Sequence, residues 1–442
     1  MKNFKNYTYI LLAAALITAC KPVIQVPAPS AGSADFTRYI SVGNSLTAGY
    51  ADGGLYLAGQ LNSYPSIIAA QMQTIGGASS FTQPLWSDAQ ASGTGYQKLT
   101  GFTSTGSPIL TAVAATAVRG TVTIPGVGTF PMFTKYTGNI DNYGVPGIKL
   151  NDIDNGFYGN VNGYYERMLP GNSPSNTTTY LDFVTAKPFT FFTNWLGNND
   201  ALGYATSGGA SPTDPLTDKA VFQTKYAALI AKLTANGQKG ACATIPDVTT
   251  IPYFTTVTVG AILASVQAAN PAVTGLYINA RTSSDPNVTT YAPRLATAAD
   301  LIVLTFPTSK MGVPNGSGIP YGLHPLNPIE TQYVLDANEV AMVKDYVNSY
   351  NNTIKSVATS KGLAVFDAFA FLTSLKANGL LINGVSLSSG YISGGIFSLD
   401  GVHLTPRGYS IVANQFISAI NTQYGSTIPT VNVSAYNGVT FP

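Results

Sequence analysis

The sequence predicts an α/β domain: a parallel sheet with helices packed on both faces. Three observations predict it. Short apolar runs of strand composition open at Tyr39, Phe189, Gly240 and Gly362, and helix-period segments lie between them. Each run ends in a turn rich in Gly, Asn or Pro, the place where a parallel sheet collects its working residues. Hydrophobic residues make up 45% of the 442-residue chain and charged residues 10%, so a sizeable core can be buried.

The first run, Tyr39, Ile40 and Val42, is broken by Gly43-Asn44, and Leu46-Thr47-Ala48 then begins a helix. Ser45 therefore sits on a strand-to-helix turn. A helix is expected over 64–74, entered through Pro65. Residues 76–139 are rich in Gly, Ser and Thr and read as an insertion, with a small hairpin at 121–130 turning about Gly126. The segment 142–147 (NYGVPG) reads as a turn-rich loop leading to a short helix from Ile148. The aromatic run 189–196 is a strand ending at Gly197-Asn198-Asn199-Asp200. Phe222, Tyr226, Leu229 and Leu233 recur at helical spacing, so 217–235 is a helix stopped by Gly237. A buried strand over 240–245 follows, then the loop Pro246-Asp247. Residues 255–330, which include the strand-like DLIVLTF at 300–306, read as a second insertion. A long helix is expected over 331–360 and a last core strand over 362–366. Thr405 caps a helix whose first position is Pro406, with Tyr409, Val412, Phe416 and Ile420 as its apolar stripe. The tail, 426–442, is expected to be extended and packed on the surface.

The chemistry-bearing residues are few. A serine hydroxyl needs a base and an orienting acid to act as a nucleophile. The chain has two histidines. One, His403, lies three residues after Asp400, close enough for one turn of chain to face both side chains the same way. His403 could take the proton of Ser45, and Asp400 could hold the ring in the required tautomer. The other, His324, reads as a loop residue. Asp247 is either a turn residue or a substrate contact. Cys242 has a buried-strand context and reads as core. A net charge of +2 argues against a nucleic-acid partner. Two distant histidines and no clustered carboxylates give no metal site, and no glycine-rich phosphate loop follows a strand, so no cofactor is expected.

These blocks, in this order, resemble the SGNH hydrolases, the GDSL esterase and lipase family: Gly43-Asn44-Ser45-Leu46, the 142–147 loop, Gly197-Asn198-Asn199-Asp200 and Asp400-Gly401-Val402-His403. The resemblance spans 35–425 outside the insertions. It implies a three-layer α/β/α, flavodoxin-like fold and hydrolysis of carboxylic esters. It makes Ser45 the nucleophile, His403 the base and Asp400 its orienting acid. The backbone N–H groups of Ser45 and Gly147 and the side-chain amide of Asn199 would bind the oxyanion, with Asn198 as the alternative donor. The family's usual aspartate before the nucleophile is Asn44 here. The expected substrate is a small acyl ester, a lipid or an acetylated glycan.

The N-terminus reads as a targeting segment. Lys2 and Lys5 precede an apolar run, 10–17, too short to span a bilayer. Ile17-Thr18-Ala19-Cys20 resembles a bacterial lipobox, which implies removal of 1–19 and lipid attachment to Cys20; the alternative is an ordinary signal peptide. Residues 20–34 would then form a flexible tether to a membrane anchor. Pro22 points to the outer membrane of a bacterial envelope by the usual sorting rule.

Overall fold

The computed structural model describes residues 29–442 except Thr105; the expected signal segment, Cys20 and most of the tether lie outside these residues. The expected parallel sheet is present, with five strands: Tyr39–Gly43 (β1), Asn142–Gly144 (β2), Phe191–Trp195 (β3), Lys239–Ala243 (β4) and Ala364–Phe366 (β5). Their order is β5-β4-β3-β1-β2, and every pairing is parallel. β2 is the strand that reads as a loop in the sequence. Only three residues long and closed by glycine, it is held by register with β1 (Ser41 opposite Asn142, Gly43 opposite Gly144) rather than by local pattern.

Alternation along β3 divides the core into two layers. Phe191 and Trp195 meet the helix Pro406–Tyr424: Phe191 packs edge-on to Tyr424 at 5.7 Å, and Trp195 edge-on to Phe416 at 6.0 Å. Tyr64, opening the helix Tyr64–Gln73, stacks on the same Phe416 at 5.0 Å. On the opposite face Asn194 donates to Tyr226 of the helix Lys219–Leu233. That helix packs on Ala337–Ser360 through the stacked rings of Phe222 and Tyr350, 3.9 Å apart. Helix, sheet and helix are the three layers.

Several boundaries move for identifiable reasons. The long helix starts at Ala337 and not at Thr331. Asp336 caps it, accepting from the N–H of Asn338 and Glu339, while Glu339 accepts from the N–H of Asp336. Residues 300–306 hold only a two-residue strand, Leu301–Ile302, because Asp300 is occupied by Arg294, Thr297 and the N–H of Ala337. Residues 76–139 carry two hairpins: Tyr96–Phe102 with Pro108–Val113, and Val118–Ile124 with Gly128–Phe133, the second turning through Gly126. Residues 255–330 carry the helix Val259–Ala269 and the hairpin Tyr277–Arg281 with Tyr291–Leu295. None of these strands joins the central sheet. The tail makes one 3-10 turn, Val433–Ala435, and buries Val433 completely. No helix among the described residues is long and apolar enough to cross a membrane.

Candidate active site

β1 delivers Ser45 to the carboxyl edge of the sheet. The chain turns at Gly43, where a Cβ would lie 2.0 Å from Thr47 Oγ1, so no larger residue fits. Asn44 then closes an Asx turn, its Oδ1 accepting from the N–H of Leu46 at 3.1 Å. This starts the single helical turn Ser45–Ala48, ended by Gly49 in the left-handed region. Asn44 Nδ2 is buried and has no partner among the described residues. The N–H of Ser45 likewise makes no protein hydrogen bond among them.

Almost the whole length of the chain away, the loop 400–403 closes on this turn. Ser45 Oγ lies 2.8 Å from His403 Nε2, and His403 Nδ1 lies 2.8 Å from Asp400 Oδ2. An ionised carboxylate can only accept, so Nδ1 carries the proton and the neutral ring turns the Nε2 lone pair towards the hydroxyl. Burial alone would raise the Asp400 pKa. The electrostatic pull of His403 and its ring N–H, with the backbone N–H of His403 and Val402 on Oδ1, outweigh it and hold the acid well below the usual carboxylate range.

The sequence reading missed the support beneath this pair. Asp400 Oδ1 also accepts from Ser398 Oγ, and Oδ2 from the N–H of Gly53. The N–H of Asp52 donates to Ser398 Oγ. The Asp52 carboxylate accepts from the N–H of Leu399 at 3.0 Å and the hydroxyl of Tyr56 at 2.7 Å. Residues 52–53 thus clamp the loop that carries the acid. Asp52 adopts a left-handed backbone, φ 54°, and burial raises its pKa. The ring of Tyr50 packs 4.5 Å from that of His403. The one sequence signal here is Asp52-Gly53-Gly54, which specifies a turn and nothing about its partner.

Two further loops approach. Gly147 is exposed and has φ +85°, a conformation glycine adopts without strain. The preceding carbonyl, of Pro146, accepts from Asn162 Nδ2 at 2.9 Å, and the same nitrogen is 2.8 Å from the Tyr158 hydroxyl. In a trans peptide C=O and N–H point opposite ways, so this bond fixes where the Gly147 N–H aims. Asn199 Nδ2 donates to the carbonyl of Ile148 at 2.9 Å, which seats its amide beside the Gly147 segment and leaves a second N–H for another acceptor. Asn198 is buried, 4% exposed, and neither polar atom of its side chain has a partner among the described residues. Asp200 is fully buried. Burial pushes its pKa up to about 6 against the pull of Thr217 and the N–H groups of Leu150 and Asn151.

The remaining candidates are elsewhere. Asp247 accepts from the N–H and hydroxyl of Thr249, an Asx turn. His324 Nδ1 accepts from the N–H of Leu326 in its own loop. Cys242 is fully buried, and burial pushes its thiol up to about 12. No group of three potential metal ligands occurs among the described residues.

The arrangement is a hydroxyl, an imidazole and a carboxylate in line. The family model described as GDSL-like Lipase/Acylhydrolase matches residues 39–416, which takes in all three members of that line. No curated protein matches the chain. Among solved structures, an alpha/beta hydrolase enzyme from the metagenome of Lake Arreo, Spain, is 9% identical, covering 88% of this chain and 97% of that one, with a TM-score of 0.37. A lipase/acylhydrolase from Enterococcus faecalis is 11% identical, covering 89% and 100%, TM-score 0.34. A mutant acetyl-xylooligosaccharide esterase from Geobacillus is 10% identical, covering 88% and 96%, TM-score 0.35. Scores this low carry no argument about this chain. The match over 39–416 does: the chain belongs to the GDSL-like lipase/acylhydrolase family and is an ester hydrolase.

Proposed function

We propose that this chain hydrolyses carboxylic esters through an acyl-enzyme on Ser45. The observation that carries the reading is the unbroken line Ser45–His403–Asp400, with both contacts at 2.8 Å. As Ser45 Oγ attacks the ester carbon, its proton passes to His403 Nε2 and the carbonyl electron pair moves onto oxygen. The oxyanion is met by the N–H of Ser45, the N–H of Gly147 and the second N–H of Asn199 Nδ2. Collapse breaks the carbon–oxygen bond to the alcohol, which leaves with the proton from His403. Water, deprotonated by the same ring, then releases the acid and restores Ser45. Asp400 orients the ring and offsets the charge of the imidazolium.

Each donor on the oxyanion is typically worth about 3–4 kcal/mol of barrier, so three loops converging on one oxygen supply a large share of the rate. The N-terminal segment is read with this: removal of 1–19 and lipid attachment to Cys20 would tether the domain to the bacterial envelope, facing ester substrates at a membrane surface. Loss of membrane association in Cys20→Ala tests that part separately. For the chemistry, turnover of p-nitrophenyl butyrate by the wild type is compared with Ser45→Ala. Loss of turnover in a folded variant supports the reading; equal turnover by the two proteins would sink it.

A further inference from the structure

The chain enters the fold at the edge of the sheet opposite the site. All five strands are parallel, so their first residues share one edge, and Ser45, after β1, lies past the other. Ahead of β1 the chain is fixed to that first edge. The N–H of Ser30 donates to the Thr427 hydroxyl at 2.8 Å, and the N–H of Thr427 donates to the Ser30 carbonyl at 2.9 Å. The N–H of Ser33 donates to the carbonyl of Tyr424 at 2.8 Å. Lys239, which opens β4, donates to the carbonyl of Ser33. Gly32 approaches Tyr424 so closely that a Cβ would lie 2.1 Å from its carbonyl oxygen.

One helix measures how far this entry point is from the chemistry. Pro406–Tyr424 begins three residues after His403 and ends at the carbonyl that holds Ser33. The Tyr424 hydroxyl donates to the carbonyl of Gly240 near the start of β4, so the helix runs back to the amino edge of the sheet. Its 19 residues span about 28 Å. The segment from Cys20 to Ser30 is ten residues. Covalent geometry limits its reach to about 33–36 Å in any conformation. Turning the site onto a bilayer that holds Cys20 would lift Ser30 by the length of the helix and the depth of the loops over the site. That takes up the whole reach. A compact chain of this length is about 55 Å across, so the segment is also too short to pass around its flank. We propose that the Cys20 anchor holds the domain with its site turned away from the bilayer. The substrates it meets at the membrane surface are then esters presented from the aqueous layer, and the acyl esters of the anchoring membrane itself are spared. The inference rests on the readings of Cys20 as lipidated and Ser45 as nucleophile.

The test uses the full-length, lipidated protein in phosphatidylcholine vesicles containing an acceptor-labelled lipid. A donor dye is placed on Lys98→Cys or on Asn236→Cys. Lys98 lies on the hairpin whose Gln97 N–H donates to the carbonyl of Asp52 beside the site, and Asn236 lies in the turn before β4. Both are exposed, whereas Cys242 is buried from the dye. With a height difference of about 28 Å, energy transfer to the bilayer should be at least about threefold weaker from Lys98→Cys. Equal or stronger transfer from that position would overturn the orientation alone. In a second arm, about forty Gly and Ser residues are inserted after Pro27, which lengthens the tether by about 35 Å on average. A fluorogenic butyrate ester fixed to a lipid headgroup of the same vesicle should then be cleaved about tenfold faster than by the wild type, with p-nitrophenyl butyrate turnover unchanged. Equal cleavage of the headgroup ester by both tethers would overturn the substrate assignment. Mass spectrometry showing no lipid on Cys20 would overturn the anchor reading and this inference with it.

Discussion

Asp400→Asn is the substitution for which the structure dictates an outcome in most detail. The carboxylate takes five donors: His403 N–H, Val402 N–H and Ser398 Oγ on Oδ1, and His403 Nδ1 and Gly53 N–H on Oδ2. Asparagine keeps one carbonyl oxygen. If that oxygen turns to the His403 ring, the new NH2 faces the two backbone N–H groups, and each buried donor left unpaired costs about 1–3 kcal/mol. If it stays with those two groups, the NH2 faces His403 Nδ1 and the N–H of Gly53. The second arrangement costs less, because it leaves one backbone donor unpaired instead of two and the ring escapes by moving its proton to Nε2. Nε2 then donates towards Ser45 and can no longer accept its proton. The same tautomer loss in serine proteases lowers kcat about 10⁴-fold, equivalent to about 5 kcal/mol of barrier. The assay is kcat with p-nitrophenyl butyrate from pH 6 to 9, with circular dichroism confirming the fold. A second signature comes from linkage. The Asp400 pKa in the fold lies below its unfolded value, so its contribution to stability is present above the ordinary carboxylate pKa, about 4, and is lost as pH falls through the lower, folded value. Asp400→Asn should lack that acid-side loss. A folded variant that keeps more than a tenth of wild-type kcat would refute the reasoning.

Substitutions at three other residues test other parts of the site. Asn199→Ala removes one amide donor and should lower kcat about 10²–10³-fold with KM little changed; a KM effect alone would assign the residue to substrate binding. Asp52→Ala leaves the N–H of Leu399 unpaired beneath the acid and should cost about 1–3 kcal/mol in denaturant unfolding and lower kcat. Asp52→Asn keeps that acceptor and tolerates the left-handed backbone, so it should restore most of both; equal damage by the two variants would argue against the clamp. For Asp200, raised to about 6 by burial, the sign is opposite to that of Asp400. The native state holds its proton more tightly than the unfolded chain, so its contribution is fully present below about pH 4 and declines as pH rises towards 6, by about 1.4 kcal/mol per unit at most. The stability difference between wild type and Asp200→Asn should shrink over that window, and a pH-independent difference would count against it.

How far the sequence could be read follows from the range over which each signal acts. The strands β1, β3, β4 and β5 announced themselves through apolar runs bounded by turns, and the helix Lys219–Leu233 through its spacing, because those signals are local. β2 did not. A three-residue strand has no periodicity, and only its place beside β1 makes it one. Residues 300–306 misled in the other direction: their composition suits a strand, but Asp300 serves Arg294 and the start of a helix. Ser45, Asp400 and His403 could be picked out because the chain has only two histidines, and one of them shares a turn with Asp400 while Ser45 sits on a recognisable strand-to-helix turn. Asp52, Ser398 and Asn162 could not. Each acts by holding a backbone group in another loop, Asp52 across 347 residues of chain, and nothing in Asp52-Gly53-Gly54 or in Asn162 reveals the group held.

The most direct measurement of the central claim is covalent capture. The folded, full-length protein is treated with a fluorophosphonate, digested and mapped by mass spectrometry. The account predicts one adduct, on the peptide containing Ser45, strongly slowed in His403→Ala. Labelling at another serine, or none in a protein that hydrolyses p-nitrophenyl butyrate, would contradict it.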